Sequence, residues 1–252
     1  MVKELLESVT KRIELIKRAV YTAVFTALVF AATSFIVVST PATRGFFNLG
    51  ETMVYTTALL TLDPYIAFIA GGLGSALADI YLGYAYYAMG TFIIKGIEGL
   101  LVVLLARLFR KAMTRWKVFL VLMNLVISVL ILVYGVYLYS GVTYLEIYGN
   151  TIELHVPAYF WAFLATALAL IIPWLGLRVD PSTGFDALAL IISGLEMVTG
   201  YFLYQVLYLH YEVYVAATEM PVNIGQAVIG LIVALPLVKT LRGMGIEFGR
   251  QK

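Results

Sequence analysis

The chain of 252 residues has no cysteine, so it can form no disulfide, thiolate metal site or cysteine nucleophile. Histidine is almost as scarce. The two present, His155 and His210, stand far apart in predicted loops and read as ordinary loop residues. There is no HExxH and no GxSxG, so metal-dependent hydrolysis and serine catalysis have no recognisable apparatus; no enzyme, metal site or cofactor is expected. Charged residues make up 13% of the chain and the net charge is +2, against about 25% charged in soluble domains. That leaves no basic face for nucleic acid.

Apolar residues are abundant, at 62%, where soluble domains run at about 45–50%. The expectation is an all-α polytopic membrane protein forming a single transmembrane domain over residues 1–252. Residues 1–18 carry charge up to Arg18, with Leu6, Val9, Ile13 and Ile16 at helical spacing, which predicts a cytoplasmic amphipathic lead-in lying on the membrane surface or a plain solvated one. The apolar run behind it is about 22 residues, too long for a signal-peptide core, so a retained first span is expected.

Eight spans are predicted, over about 19–40, 51–62, 65–82, 91–109, 118–139, 157–177, 187–209 and 216–238. The second falls short of the ~20 residues a straight helix needs to cross. It meets the third at Asp63-Pro64, a turn-initiating pair. A Tyr-rich loop precedes span 4, an outer loop with Glu146, Glu153 and His155 precedes span 6, and VDPSTGFD is a turn before span 7. With both termini cytoplasmic, 15 of the 17 Lys and Arg fall on the inner side, leaving Arg44 outside and Lys95 within a span, as the positive-inside rule requires. Trp116 and Trp174 then sit at the inner interface, and Tyr137, Tyr139, Tyr159 and Trp161 at the outer one.

The polar residues inside the spans gather at one depth. Asn48 and Glu51 follow the first span on the outside, Asp79 lies near the outer end of span 3, and Lys95 and Glu98 lie in the outer half of span 4. Tyr201, Tyr204 and Gln205 are outer in span 7 with Glu196 near its middle, and Glu219, Asn223 and Gln226 are outer in span 8. Thr91, Lys95 and Glu98 form one helical stripe, as do Glu219, Asn223 and Gln226, and also Ser193, Glu196, Gly200 and Tyr204. An ionisable side chain at membrane depth costs at least ~2.5–3.5 kcal/mol on insertion scales. Matching stripes therefore predict a polar cavity open to the outside, or else a packed interhelical hydrogen-bond network. Lys95 is expected to pair with Asp79 or Glu98 or to meet a ligand. Tyr81, Tyr84, Tyr86 and Tyr87 offer rings for stacking.

The small-residue run Gly71, Gly72, Gly74, Ser75, Ala76, Ala78 lacks the Gly-Lys-Ser/Thr ending of a phosphate loop and the last Gly of a dinucleotide fingerprint. It predicts close helix packing. Ala19, Ala23, Ala27 and Ala31 form a four-residue ladder on span 1, a flat face for another helix inside the chain or on a partner. Spans 5 and 6, apolar apart from Asn124, Ser128 and Thr166, read as a peripheral hairpin.

The segments FNLGE (47–51), GGLGSALAD (71–79), TFIIKGIEG (91–99), TGYFLYQ (199–205) and EMPVNIGQAVIG (219–230), with the GY and YA of 83–88, together make the chain resemble the substrate-binding S components of energy-coupling factor (ECF) vitamin importers, in the riboflavin-type group. They cover about half the chain in the right order. The resemblance implies a six-helix bundle, to which the region of about 112–186 adds an inserted hairpin, giving about eight spans. It implies a vitamin-like ligand bound near the outer surface, with Asn48, Glu51, Asp79, Tyr84, Lys95, Glu98, Glu196, Tyr201, Tyr204, Asn223 and Gln226 as candidate contacts. It also implies docking through Ala19, Ala23, Ala27 and Ala31 to a transmembrane T subunit energised by two ATPases, which hydrolyse the ATP. Glu51 stands where the family usually has Asp, Met89 where Pro is common, and Val222 where Gly is usual. Outside the resemblance, two other classes stay open: a stand-alone transporter relaying protons through Asp79, Glu98 or Glu196, and a structural membrane subunit with no ligand.

Overall fold

A computed structural model describes residues 2–35, 37–40, 45–112, 115–138, 140–147, 150–176, 178, 180–246 and 248. Arg44 and Tyr139, assigned above to an outer loop and an outer interface, lie outside the described residues.

Helix α1 (Val2–Phe35) is continuous, so the predicted surface lead-in and the first span are one rod. The rod ends earlier than its apolar run. Val37, Val38 and Thr40 are β-branched, which favours a pleated strand over a helix end, and strand β1 (Val37–Thr40) pairs antiparallel with β2 (Gly45–Asn48). Helix α2 (Gly50–Thr61) follows. Its 12 residues span only ~18 Å at 1.5 Å per residue. It needs no greater length, because ten of the twelve are buried: α2 is a central post wrapped by protein. Leu62 closes it in the left-handed region, at φ 44°. Asp63 then caps α3 (Pro64–Tyr81), accepting from the backbone N–H of Tyr65 and Ile66 with Pro64 at the first helical position.

Helix α4 (Ala85–Ala112) returns alongside α3, and the two share the most extensive contact in the protein. Next come α5 (Trp116–Leu138), strands β3 (Gly141–Ile147) and β4 (Asn150–Val156), and α6 (Ala158–Gly176). The segment expected to be an outer loop is thus a hairpin, and it joins the first hairpin in a four-stranded antiparallel sheet of order β2-β1-β3-β4, with Ser39 opposite Glu146. Its sequence, Gly-Val-Thr-Tyr-Leu to Thr-Ile-Glu-Leu-His-Val, carries the β-branched and aromatic content strands favour. Helix α6 packs along α5, which in turn leans on α7.

Helix α7 (Pro181–Leu207) starts six residues before the predicted position. Asp180 caps it through the Thr183 N–H and Pro181 occupies its first position, so PSTGFD is the opening of a helix and not a turn. Hydrogen bonds from Ser182, Lys239 and Thr183 hold the Asp180 carboxyl below the ordinary carboxylate range. A short α8 (Val213–Ala217) precedes α9 (Met220–Gly243).

The core surrounds α2. Tyr55, Ala58 and Leu59 meet Val29 of α1, Val102, Val103 and Ala106 of α4, Ala189 and Leu190 of α7, and Ala234 and Val238 of α9. At the end of the bundle holding Thr61, Asp186 receives Arg110 and Arg242, each at 2.6 Å, and Arg242 also donates to the Leu59 carbonyl at 2.7 Å. Arg18 meets Asp63 at 2.6 Å, and Arg107 donates to the Leu62 carbonyl. Four helical stretches, Glu7–Phe35, Lys117–Tyr137, Pro181–Leu207 and Val213–Gly243, are long and apolar enough to cross a membrane by length and composition. The chain is an all-α membrane protein in its framework, with one small sheet that the composition did not announce.

Candidate functional site

At the opposite end of α2, six helices and β2 surround a small, partly open cavity of about 30 Å³. Its wall is built from Thr33 of α1, Phe46 and Asn48 of β2, Gly50 of α2, Ser75 and Asp79 of α3, Tyr87, Thr91 and Lys95 of α4, Tyr201 of α7, and Glu219, Asn223 and Gln226 of α9. The helical stripes read from the sequence explain how α4 and α9 each supply several of these groups. Residues four apart stand one above the other on one face, so Tyr87, Thr91 and Lys95 descend a single line on α4.

The wall is tied together by hydrogen bonds. Tyr201 Oη donates to Thr91 Oγ1 at 3.1 Å, and Gln205 Nε2 donates to Tyr87 Oη at 3.1 Å and to Glu219 Oε2 at 2.5 Å. Gln226 Nε2 donates to Asn223 Oδ1 at 3.2 Å, and the Gly50 N–H to Asn48 Oδ1 at 2.7 Å. Asp79 is 4% exposed; it accepts a hydrogen bond from Thr91, and its Oδ2 has no partner.

Beneath the wall lies a charged floor. Lys95 Nζ makes ion pairs with Glu51 and with Glu98, the latter at 3.2 Å, and Tyr55 Oη donates to Glu98 Oε1 at 3.0 Å. Lys95, Glu51 and Glu98 are all buried. Glu196, half-buried on α7, lies within electrostatic reach of Glu98 and Lys95. Of the two pairings the sequence left open for Lys95, the one with Glu98 is present and the one with Asp79 is not, and Glu51 is a further partner. Helix α2 is wedged against α4 and delivers Glu51 to the ammonium, while Asp79 on α3 turns to Thr91. At Gly230 a Cβ would stand 2.5 Å from Glu51 Cβ, so the bare backbone of α9 is what admits Glu51 to this position.

Of the predicted contacts, Asn48, Asp79, Lys95, Tyr201, Asn223 and Gln226 line the cavity, and Glu51, Glu98 and Glu196 form or flank its floor. Two stand outside the wall. Tyr204 donates through Oη to the Tyr86 carbonyl at 2.8 Å and stacks on Tyr208, and Tyr84 packs its ring on Phe46 at 4.7 Å. Sequence reasoning left Thr33, Ser75, Tyr87, Thr91 and Glu219 off the candidate set. Thr91 and Glu219 each sit one turn before a chosen residue on the same stripe and were legible; Thr33, one of several hydroxyl residues on α1 beside Thr22, Thr26 and Ser34, carried no signal of its own. On α1 the ladder of Ala19, Ala23, Ala27 and Ala31 is exposed, while Phe25, Val29 and Thr33 on the other side of the helix are buried.

A protein of Pyrococcus woesei described as "Uncharacterized protein in gap 3'region" is 45% identical over 62 residues, which are 25% of this chain and 40% of that protein. The chain thus spans less than half the length of that curated relative. The family described as "ECF-type riboflavin transporter, S component" matches residues 14–172 and 151–243, nearly the whole length. The chain is a multi-pass membrane protein and belongs to the ECF-type riboflavin transporter S component family.

Proposed function

We propose that this chain is the substrate-binding subunit of an ATP-driven ECF-type importer, capturing a small ring compound of the vitamin class and releasing it inward when partner subunits act. The observation that carries this reading is the cavity itself, in which polar groups from α1, α3, α4, α7, α9 and β2 converge at one end of an otherwise apolar bundle. A purely structural network has no reason to gather at one depth. The ligand is held by the wall residues; the T subunit docks on the alanine ladder of α1; two ATPases supply the ATP hydrolysis. Eight helices cross the bilayer, of which α5 and α6 form an inserted hairpin within residues 112–186.

In this reading the cavity faces outward and both termini lie in the cytoplasm, with the basic cluster Arg107, Arg110, Lys111, Arg115 and Lys117 on the inner side. A cysteine placed at exposed Lys111 is expected to resist a membrane-impermeant thiol reagent applied to intact cells and to react once the cells are opened. Labelling from outside overturns the orientation.

The docking face is tested by Ala23→Leu and Ala27→Leu. Both side chains point away from the core, so a larger residue leaves the bundle intact while blocking close backbone approach of a partner helix. Each variant is expected to bind ligand as the parent does, to lose co-purification with the T subunit and ATPases, and to lose more than nine-tenths of uptake. Normal uptake by both variants removes the ladder from the interface. Proton-driven uptake by the chain alone would instead identify a secondary transporter.

A further inference from the structure

Asp79 stands apart from the other acidic groups of the site. It lines the cavity from α3 and is buried, but Lys95, the one cation in the wall, makes its ion pairs with Glu51 and Glu98. The hydroxyl groups beside it form a relay of fixed direction. Tyr201 Oη donates to Thr91 Oγ1 at 3.1 Å, which leaves the Thr91 hydrogen for Asp79. That bond satisfies one side of the carboxyl, and Oδ2 is buried without a protein partner. A buried charge with no partner is costly, and a carboxyl so placed takes up a proton instead. Protonated, it changes from an acceptor of hydrogen bonds to a donor of one. The other titratable groups around it add no cation. Tyr87 on α4, with Tyr201 and Tyr204 on α7, brings hydroxyls, and Glu219 ahead of α9 brings a further carboxyl. Helix α2 commits Glu51 to Lys95, and α1 presents only Thr33 to the wall.

We propose that Asp79 serves the site as a neutral carboxylic acid, its Oδ2–H donating to a carbonyl oxygen on the edge of an uncharged ring ligand. This rests on reading the chain as a substrate-binding subunit, and it assigns the group that selects which edge of the ligand enters. The relay from Tyr201 through Thr91 occupies the accepting side of the carboxyl, so the proton belongs on Oδ2, the oxygen the protein leaves unmatched. An ionised Asp79 would set oxygen against oxygen and turn the same edge away. Flavins, uncharged and with carbonyl groups along one ring edge, are of the class this donor fits, in keeping with the family to which the chain belongs.

The test is isothermal titration of the purified full-length protein with riboflavin at a series of pH values from about 5 to about 9. Because only the protonated carboxyl donates, binding is expected to be tight at the acid end and to weaken as pH rises, by up to about ten-fold per pH unit, the slope of a single proton. Asp79→Leu, which has neither donor nor charge, is expected to weaken binding at the acid end by about ten-fold or more and to abolish the slope. Asp79→Asn, which keeps a donor that cannot ionise, is expected to regain most of that loss and to bind equally across the range. Affinity that is flat in the parent, or that rises with pH, overturns the proposal. A slope that survives in Asp79→Asn also does so, since it then belongs to Glu219, Lys95 or another group, and so does an Asn variant no better than Leu. If Asp79→Leu fails to fold, as judged by its melting temperature, the slopes of the parent and Asp79→Asn decide. Absence of riboflavin binding at every pH likewise overturns it. Co-purification with the T subunit and ATPases is scored separately. Partner capture with a flat or rising profile removes the protonated carboxyl and keeps the S-component reading, whereas loss of partners and of riboflavin binding removes both.

Discussion

Lys95→Met is expected to lower the melting temperature of the solubilised protein by about 10 °C and to weaken ligand binding severely. The ammonium lies between Glu51 and Glu98, all three buried. Removing it strands two carboxylates, and breaking a buried ion pair from one side costs roughly 3–5 kcal/mol. For a chain of this size each kcal/mol moves the midpoint by about 2–4 °C. The rescue pattern identifies the partner. Glu51→Gln in the Lys95→Met background removes one stranded charge and should recover a large part of the loss, because the two sites are coupled. Asp79→Asn should recover none of the stability, since Asp79 hydrogen-bonds Thr91. A single variant that melts with the parent, or a rescue by Asp79→Asn and not by Glu51→Gln, would sink the assignment. Ligand binding measured on the same proteins divides the roles: the Lys95→Met/Glu51→Gln pair regains stability but still lacks the floor of the cavity, so its affinity stays low.

Gly72→Val should cost about 3 kcal/mol or more and leave little folded protein. A Cβ at position 72 would collide with the Phe92 carbonyl oxygen and come within 3.3 Å of the Gly96 Cα. The obstacle is backbone, which cannot swing aside, so α3 and α4 must separate. Their separation also drags Asp79 from Thr91, which ties the fold's tightest helix pair to the cavity. Gly243→Ala, where nothing lies within 4 Å of the new Cβ, is the control and should be neutral or slightly stabilising. If the valine variant expresses, melts and binds like the parent, the two helices are not in the close contact described.

The membrane class, the small-residue packing of α3 and much of the cavity were legible because they depend on composition and helical phase. The stripe through Thr91, Lys95 and Glu98 is a property of α4 alone, and its facing inward follows from the cost of placing such groups in lipid. Of the two partners of Lys95, Glu98 was legible, one turn along the same stripe, and Glu51 was not. Glu51 belongs to another helix, and which of several carboxylates reaches the ammonium depends on how α2 is wedged, a tertiary fact. The tyrosines divide similarly: Tyr87 and Tyr201 line the cavity, but Tyr84 and Tyr204 spend their rings on Phe46 and Tyr208, a choice settled by neighbours remote in sequence. The end of α1 was misjudged because hydropathy continues through Val38 while helix geometry stops at Phe35. The β-branched run was the available warning, but the strand to which β1 pairs on its second side lies about a hundred residues away.

That distance sets an order of assembly. Contacts between chain neighbours close early, and those across long intervening segments close late. The α3–α4 pair can zip up soon after its short connection is made, whereas β1 must wait for α2, α3, α4 and α5 to be synthesised before β3 exists to meet it. Until then β1 is paired on one side only, with β2, and its other edge is open to whatever strand it encounters. The hairpin that carries Phe46 and Asn48 into the cavity therefore keeps one open edge while α2 to α5 are made, and a ribosome that stalls before β3 leaves that border of the site without its second strand.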